Sequence, residues 1–297
     1  MLGRVDAGER DLREAIELSG DESAALCALA RLQRHQGRRQ EAERACTEAL
    51  EAARHGGRAG DEASALRELG ALRLQQGRSD EARELCLDAL RICRVQGAKA
   101  EEAWLLVNLG NLDQERGQLS PARRWYEAAL QIHRDRNSRR HEGIALSNLA
   151  LLDHEQGALE RAERRFEEAL SIHREVGNRR FVGHALVGLG GLALERGDLE
   201  PGRAHLQAAL AVFQEVRDRR FEAVARARLA AIGAASGHPE EASIDFDAAR
   251  AALEGEAELL AGVAVLEAAS LGRAVPGPGA AEGSFVRICR RLLPGLS

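Results

Sequence analysis

Apolar residues along this chain recur at helical spacing, and the whole pattern then repeats every 40 residues. The stretch Glu142 to Arg180, EGIALSNLALLDHEQGALERAERRFEEALSIHREVGNRR, sets Leu146, Leu149 and Leu152 before Gly157 and Ala162, Phe166, Ala169 and Leu170 after it. Steps of three and four residues put each set on one face of a helix, and the glycine between them ends the first helix and lets the chain reverse. Equivalent glycines stand at Gly37, Gly77, Gly117, Gly157, Gly197 and Gly237. Eight residues before each comes a leucine (Leu29, Leu69, Leu109, Leu149, Leu189, Leu229), and twelve after each an alanine (Ala49, Ala89, Ala129, Ala169, Ala209, Ala249).

Two further columns admit only small residues: Ala30, Gly70, Gly110, Ala150, Gly190 and Ala230 in the first helix, and Ala42, Ala82, Ala122, Ala162, Gly202 and Ala242 in the second. Small side chains on facing helices let the backbones approach closely, and the larger column Cys46, Cys86, Tyr126, Phe166, Leu206 and Phe246 fills the gap beside them. The pattern therefore predicts antiparallel pairs of helices, each about 15 residues and roughly 22 Å long. Ser79-Asp80-Glu81, Ser120-Pro121 and Pro239-Glu240-Glu241 supply start signals for second helices.

Leucine, Gly or Ala, glycine, alanine, a large residue and alanine at these offsets resemble the tetratricopeptide repeat over residues 3 to about 255. The 40-residue spacing and the junctions Gly177-Asn178-Arg179-Arg180 and Asp218-Arg219-Arg220 are similar to the long-helix variant in kinesin light chain and bacterial signalling proteins. Two family features are missing. The tyrosine usual four before the glycine is replaced by Gln33, Arg73, Asp113, Asp153, Ala193 and Gly233, and the proline usual at the end of the second helix is absent. The resemblance implies an all-α fold, a right-handed α-solenoid of antiparallel helix pairs whose inner wall binds extended peptides or partner helices.

The expected organisation is the second helix of an incomplete repeat at 1–19, six helix pairs at 20–255, a capping helix at 256–273, a Pro/Gly linker at 274–283 and a short amphipathic tail at 284–297. The half-repeat, in which Gly3, Gly8, Leu12, Ala15 and Ile16 take the column positions, suggests a longer parent protein or self-association through an uncapped end. Arg226 and Arg250 replace column leucines where the array is expected to turn polar and close. In the tail, Phe285, Ile288, Cys289, Leu292 and Leu293 share one face, and the expected role is a flap over the end of the solenoid.

Composition narrows the function. With 44% hydrophobic but 3% aromatic residues the core is built from Leu and Ala, and a formal charge of −5 gives no whole-chain attraction to nucleic acid or anionic membrane. No apolar run has the length of a membrane span and the N-terminal residues do not resemble a signal peptide, so a soluble, cytoplasmic protein is expected. The five cysteines form no CxxC pair and read as buried thiols. No nucleophile-base motif, metal-ligand spacing or phosphate-binding loop appears, so no enzyme activity, cofactor or metal is expected. The glycines of FVGHALVGLGGLALERG lie inside a helix repeat and are expected to serve packing, and His133 with His173 forms a two-member ladder without a third ligand.

What remains is a surface. At 100° per residue, Trp104, Val107, Asn108 and Asn111 stand opposite the core leucines of their helix. Ser147, Asn148, Leu151 and His154 share that face in the next repeat, Arg67 in the one before and His184 in the one after. These ten residues form the expected partner-binding face, with Trp104 as anchor and the equivalent Asn108 and Asn148 offering donor and acceptor to a ligand backbone. Arg139, Arg140, Arg179, Arg180, Arg219 and Arg220 recur at one junction as a basic rim, expected to be solvated or paired with neighbouring acids. The expected function is a non-catalytic module binding a protein or peptide, a regulatory or scaffold part of a larger bacterial signalling protein. A peptide-sensing regulator is the alternative. An RNA-binding helical repeat would need a basic inner wall and a base-reading pair in each repeat, which Glu68, Ala71, Leu151 and Gly191 do not supply.

Overall fold

The computed structural model describes residues 22–272, 275 and 284–291. Among them are fourteen α-helices and no strand: α1 (Glu22–His35), α2 (Arg39–His55), α3 (Ala59–Gln75), α4 (Ser79–Gln96), α5 (Lys99–Glu115), α6 (Leu119–Asp135), α7 (Arg139–Glu155), α8 (Leu159–Glu175), α9 (Arg179–Arg196), α10 (Leu199–Glu215), α11 (Arg219–Ala235), α12 (Pro239–Ala252), α13 (Ala257–Ser270) and α14 (Ser284–Arg291). Most run 17 residues, two more than the pattern predicts. Odd-numbered helices up to α11 are the first helices of the pairs, even-numbered ones the second. The chain is an all-α solenoid of helix pairs.

The pairs are joined almost without loops, and the cause is local. All six column glycines take positive φ, between 72° and 91°. The next residue's amide then donates to the carbonyl five back, as from Arg78 to Arg73 at 2.9 Å and from Ala158 to Asp153 at 2.9 Å, which satisfies an orphan carbonyl of the finished helix. That same residue is already the cap of the next helix. The second helices end alike at Gly57, Gly97, Asn137, Gly177 and Arg217, with φ between 52° and 68°.

This tightness overturns the expected start signals. Arg78 caps α4 without a side-chain bond, and Ser79 is already helical; α6 begins at Leu119, so Ser120 lies inside its first turn. Asp218 does cap with its side chain, accepting from the Phe221 amide at 3.3 Å. Pro239 opens α12 as its fixed φ favours.

Packing follows the columns. The alanines from Ala49 to Ala249 have no exposed surface, and Cys46, Cys86, Tyr126, Phe166, Leu206 and Phe246 are all buried beside them. Burying a side chain the size of Phe166 contributes roughly 1.5–3 kcal/mol. A Cβ on Gly190 would lie 2.6 Å from Leu206 Cγ, which is why that column stays small. At two of the six positions where the family's tyrosine is missing, a buried carboxylate takes its place: Asp113 accepts from Trp125 Nε1 at 2.8 Å, and Asp153 from Arg161 at 2.7 Å and from Arg123 and Arg165. All five cysteines are buried and none is in a disulfide; burial pushes Cys27 and Cys86 up to about 11 and Cys46 up to about 12, so these three thiols stay protonated and inert.

The chain divides into two compact units, Met1–Leu112 and Asp113–Ser297, with the boundary inside α5. The half-repeat at 1–19, and any self-association through it, lies outside the described residues, as does nearly all of the linker at 274–283. In the second unit, α13 follows Gly255 through a junction of the same left-handed kind and packs on α11 and α12. Arg250 of α12 reaches across to Glu267 of α13, so the polar substitution in its column makes a new helix contact. The tail helix α14 packs on α13 and also on α7, three pairs back along the chain.

Candidate functional site

The ten residues expected on the partner-binding face fall five in each unit. In the first unit, Trp104 of α5 leaves 42% of its surface exposed although it lies in a helix whose leucines are buried. The Arg67 guanidinium stands over its ring, 5.1 Å from the centroid, an arrangement that contributes about 0.5–1 kcal/mol at exposed sites. Arg67 also donates to Glu68 Oε1 at 3.2 Å, and Arg31 donates to the same oxygen at 2.9 Å. Glu68 thus anchors the guanidinium that stands over the indole. Beside it a cavity of about 200 Å³ opens between α3, α4 and α5, lined by Ser64, Arg67, Cys93, Gln96, Glu101 and Leu105. Val107 and Asn108 are partly exposed and Asn111 is exposed.

In the second unit the expected face is not open. Asn148 and Leu151 keep partial exposure, but Ser147 and His154 are buried. The Ser147 hydroxyl is bonded to His173 Nε2 at 3.2 Å on α8, and His154, 1% exposed, contacts Glu195 Oε2 at 2.9 Å. His184 sits edge-on to Phe221, with ring centroids 4.1 Å apart, and within 5.5 Å of Phe181 and Phe213. Burial among these rings holds its pKa down, to about 4. The helical wheel sets these side chains opposite the core leucines of their own helix, and it cannot show that this face is covered.

The cover is α14. Ile288 closes one side of a cavity of about 220 Å³ lined by Leu151, His154, His184, Val224 and Arg228. Arg287 forms an ion pair with Glu155, whose side chain is 2% exposed, and donates through Nη2 to the Gln114 carbonyl at 2.6 Å. Gln114 in turn donates to Glu155 at 2.9 Å and accepts from the Tyr126 hydroxyl at 2.9 Å. A continuous polar network therefore runs from α6 to the tail.

Glu155, Glu195 and Arg228 are the residues that sequence reasoning missed, although the columns contain them. Glu115, Glu155 and Glu195 all stand two before their glycines, and Arg228 occupies the same column as Asn108 and Asn148. Arg228 donates to the Val187 carbonyl at 2.7 Å. Its room is made by Gly191, where a Cβ would lie 2.4 Å from the guanidinium. The other glycines of that helix serve packing as expected: a Cβ on Gly188 would strike the Phe166 ring at 2.4 Å.

The arginine rim belongs wholly to the second unit. Arg139 pairs with Glu142 at 2.9 Å and Glu175 at 2.8 Å, Arg179 with Glu215, Arg180 with Asp218 at 3.0 Å, and Arg220 with Glu256 at 3.2 Å. Arg140 and Arg219 are exposed. Exposed pairs of this kind contribute about 0–1 kcal/mol, but they neutralise much of the charge the rim shows in sequence. Among the described residues no group of three His, Cys, Asp or Glu side chains is placed to hold a metal ion, and no helix is long and apolar enough to cross a membrane.

Comparison with known proteins agrees with this architecture. Two family models, both described as tetratricopeptide repeat, match residues 61–135 and 101–175 in one case and 25–59 in the other, together half of the chain. No curated protein matches. Among solved structures the chain is similar to BtubC (BKLC) from P. vanneervenii, at 21% identity and a TM-score of 0.64 over 72% of this chain and 91% of that one. It is similar to a Rap protein complexed with competence and sporulation factor, at 14% identity and a TM-score of 0.63 over 98% and 87%. It is also similar to the apo form of the quorum sensor NprR from B. thuringiensis, at 16% identity and a TM-score of 0.67 over 87% and 74%. The repeat columns, the helix pairs they build and these matches place the chain in the tetratricopeptide repeat family, as a protein-interaction module.

Proposed function

We propose that the chain is a non-catalytic module that binds a peptide or partner helix in the concave groove lined by its first helices, as a regulatory or scaffold part of a larger bacterial signalling protein. The observation that carries this reading is Trp104, a large side chain left 42% exposed and held in place by Arg67 beside a half-open cavity. An amphipathic ring so fixed offers contact area at little entropic cost. Asn108, one turn further along the same helix, would bond a ligand's backbone, and Glu101 and Gln96 at the cavity would add polar contacts.

Affinity capture from lysate of the source organism, comparing wild type with Trp104→Ala and with Trp104→Ala/Asn108→Ala at matched melting temperature, tests it. Each truncation at a true anchor costs on the order of 2 kcal/mol, about 30-fold in affinity. Recovery of every partner at wild-type yield by the double variant would remove this face from consideration. A peptide-sensing regulator is the second reading, supported by likeness of fold to the quorum sensor NprR. It predicts that a bound peptide changes hydrogen exchange in helices it does not touch, and exchange altered only at the contact would oppose it.

A further inference from the structure

The tail helix does not behave as the array would predict. A helix following α13 in the alternation belongs against α13 and its neighbours, yet α14 extends to α7 and buries Val286, Ile288 and Cys289 in the second unit. It is joined to α13 by a segment that contains AVPGPGAAEG, whose two prolines and three glycines provide no apolar side chains to pack apart from Val275 and the alanines. A short amphipathic helix carried on the same chain as its groove meets it at a high effective concentration.

The groove under α14 matches the charge that α14 carries. Glu155 is a carboxylate with 2% of its side chain exposed, and at that depth an unpaired charge is strongly unfavourable. Arg287 answers it in a way lysine cannot, with Nε on Glu155 and Nη2 on the Gln114 carbonyl, two directions of one planar fork. The flanking Val286 and Ile288 are buried against apolar surface, yet beside Ile288 about 220 Å³ remains between Leu151, Val224 and Leu259. The resident helix thus meets the charge requirement and underfills the apolar one.

We infer that this first-helix groove of the second unit is a receptor for an arginine-bearing amphipathic helix, that α14 is its tethered occupant, and that a partner helix of the same apolar–Arg–apolar pattern binds by displacing it. The inference goes beyond the Trp104 reading: it concerns a different surface in the other unit, and either can fail alone.

The test uses the full chain and a fluorescent peptide SFVRICRRLL, the sequence of residues 284–293. The wild-type chain, whose own tail competes, should bind it weakly. Arg287→Glu turns the tail's ion pair into repulsion and should bind the peptide at least ten-fold more tightly. Adding Glu155→Gln to that variant should abolish the gain, and a peptide with glutamate in place of its first arginine should bind neither chain. Trp104→Ala should leave these affinities unchanged. An Arg287→Glu chain with wild-type helical content and no gain in affinity overturns the inference and makes α14 a fixed part of the core. Should that variant fail to fold, hydrogen exchange on the wild-type chain decides: saturating peptide should speed exchange of the α14 amides at least five-fold with α11 unaltered, and unaltered exchange in α14 overturns the inference.

Discussion

His133, His173 and His184 are each held by burial well below the usual histidine range, to about 4. Neighbouring arginines push the same way, Arg136 beside His133, Arg140 beside His173 and Arg180 and Arg220 around His184, while Glu142 opposes at the first, a backbone hydrogen bond with Gly143 at the second and Asp218 at the last. Such a ring takes up its proton near pH 6.5 in the unfolded chain but near 4 in the folded one, so between these values the unfolded state binds more protons. Stability is therefore complete above pH 6.5 and is lost as the pH falls toward 4, on the order of 1 kcal/mol per ring by pH 5. Thermal melts at pH 7 and pH 5 should differ by several degrees, and His184→Leu should recover about a third of the difference. Equal melting points would mean the rings are solvated in the folded protein. The same residues mark what a helical wheel can show. Trp104 was legible as outward-facing because its own helix decides that, whereas the burial of Ser147 and His154 is decided by His173, Glu195 and a tail more than 130 positions away.

At the scale of the element, the junctions carry the fold. Five consecutive left-handed positions end the second helices, and two are not glycine: Asn137 at φ 52° and Arg217 at φ 56°. A side chain with Cβ costs roughly 1–2 kcal/mol in that region, asparagine less than arginine because its short amide bonds locally. Arg217→Gly should accordingly stabilise the chain by on the order of 0.5–1 kcal/mol, the gain being reduced by the freedom glycine adds to the unfolded state. Denaturant melts with an unchanged slope would measure it, and a loss of stability would show that the arginine side chain contributes more than its backbone strain removes. These two residues also explain the sequence's silence about the column: the glycines at 37 to 237 announce themselves without exception, while Gly57, Gly97, Asn137, Gly177 and Arg217 share a conformation and no residue type. The misplaced caps have the same origin. Ser79 and Ser120 are good capping residues, but the reversal is so short that the position after the left-handed residue must serve both helices through its backbone.

At the scale of the molecule, a repeat array with contacts only between neighbours should melt from wherever it is weakest. The second unit departs from this. One continuous apolar cluster runs from Ala150 through Phe166, Leu192, Phe213 and Phe246 to Leu253, Val263 and Cys289, and α14 ties α13 back to α7. Periodicity in the sequence made the pairs legible because each pair is a copy; it held no trace of the tie because Arg287 lies outside the repeat and nothing in the Glu115, Glu155, Glu195 column marks which member it meets. The physical consequence is cooperativity. Leu192→Ala in α9 and Leu253→Ala after α12 each remove a buried side chain, at a cost of about 2–5 kcal/mol. If the cluster unfolds as one, each substitution should lower the free energy of opening by the same amount at the slowest-exchanging amides of both α9 and α12, as read by native-state hydrogen exchange. A substitution that loosened only its own pair and left the distant helix protected would mean that the second unit, too, is held together by nearest neighbours alone, and that the tail adds no coherence to the helices it bridges.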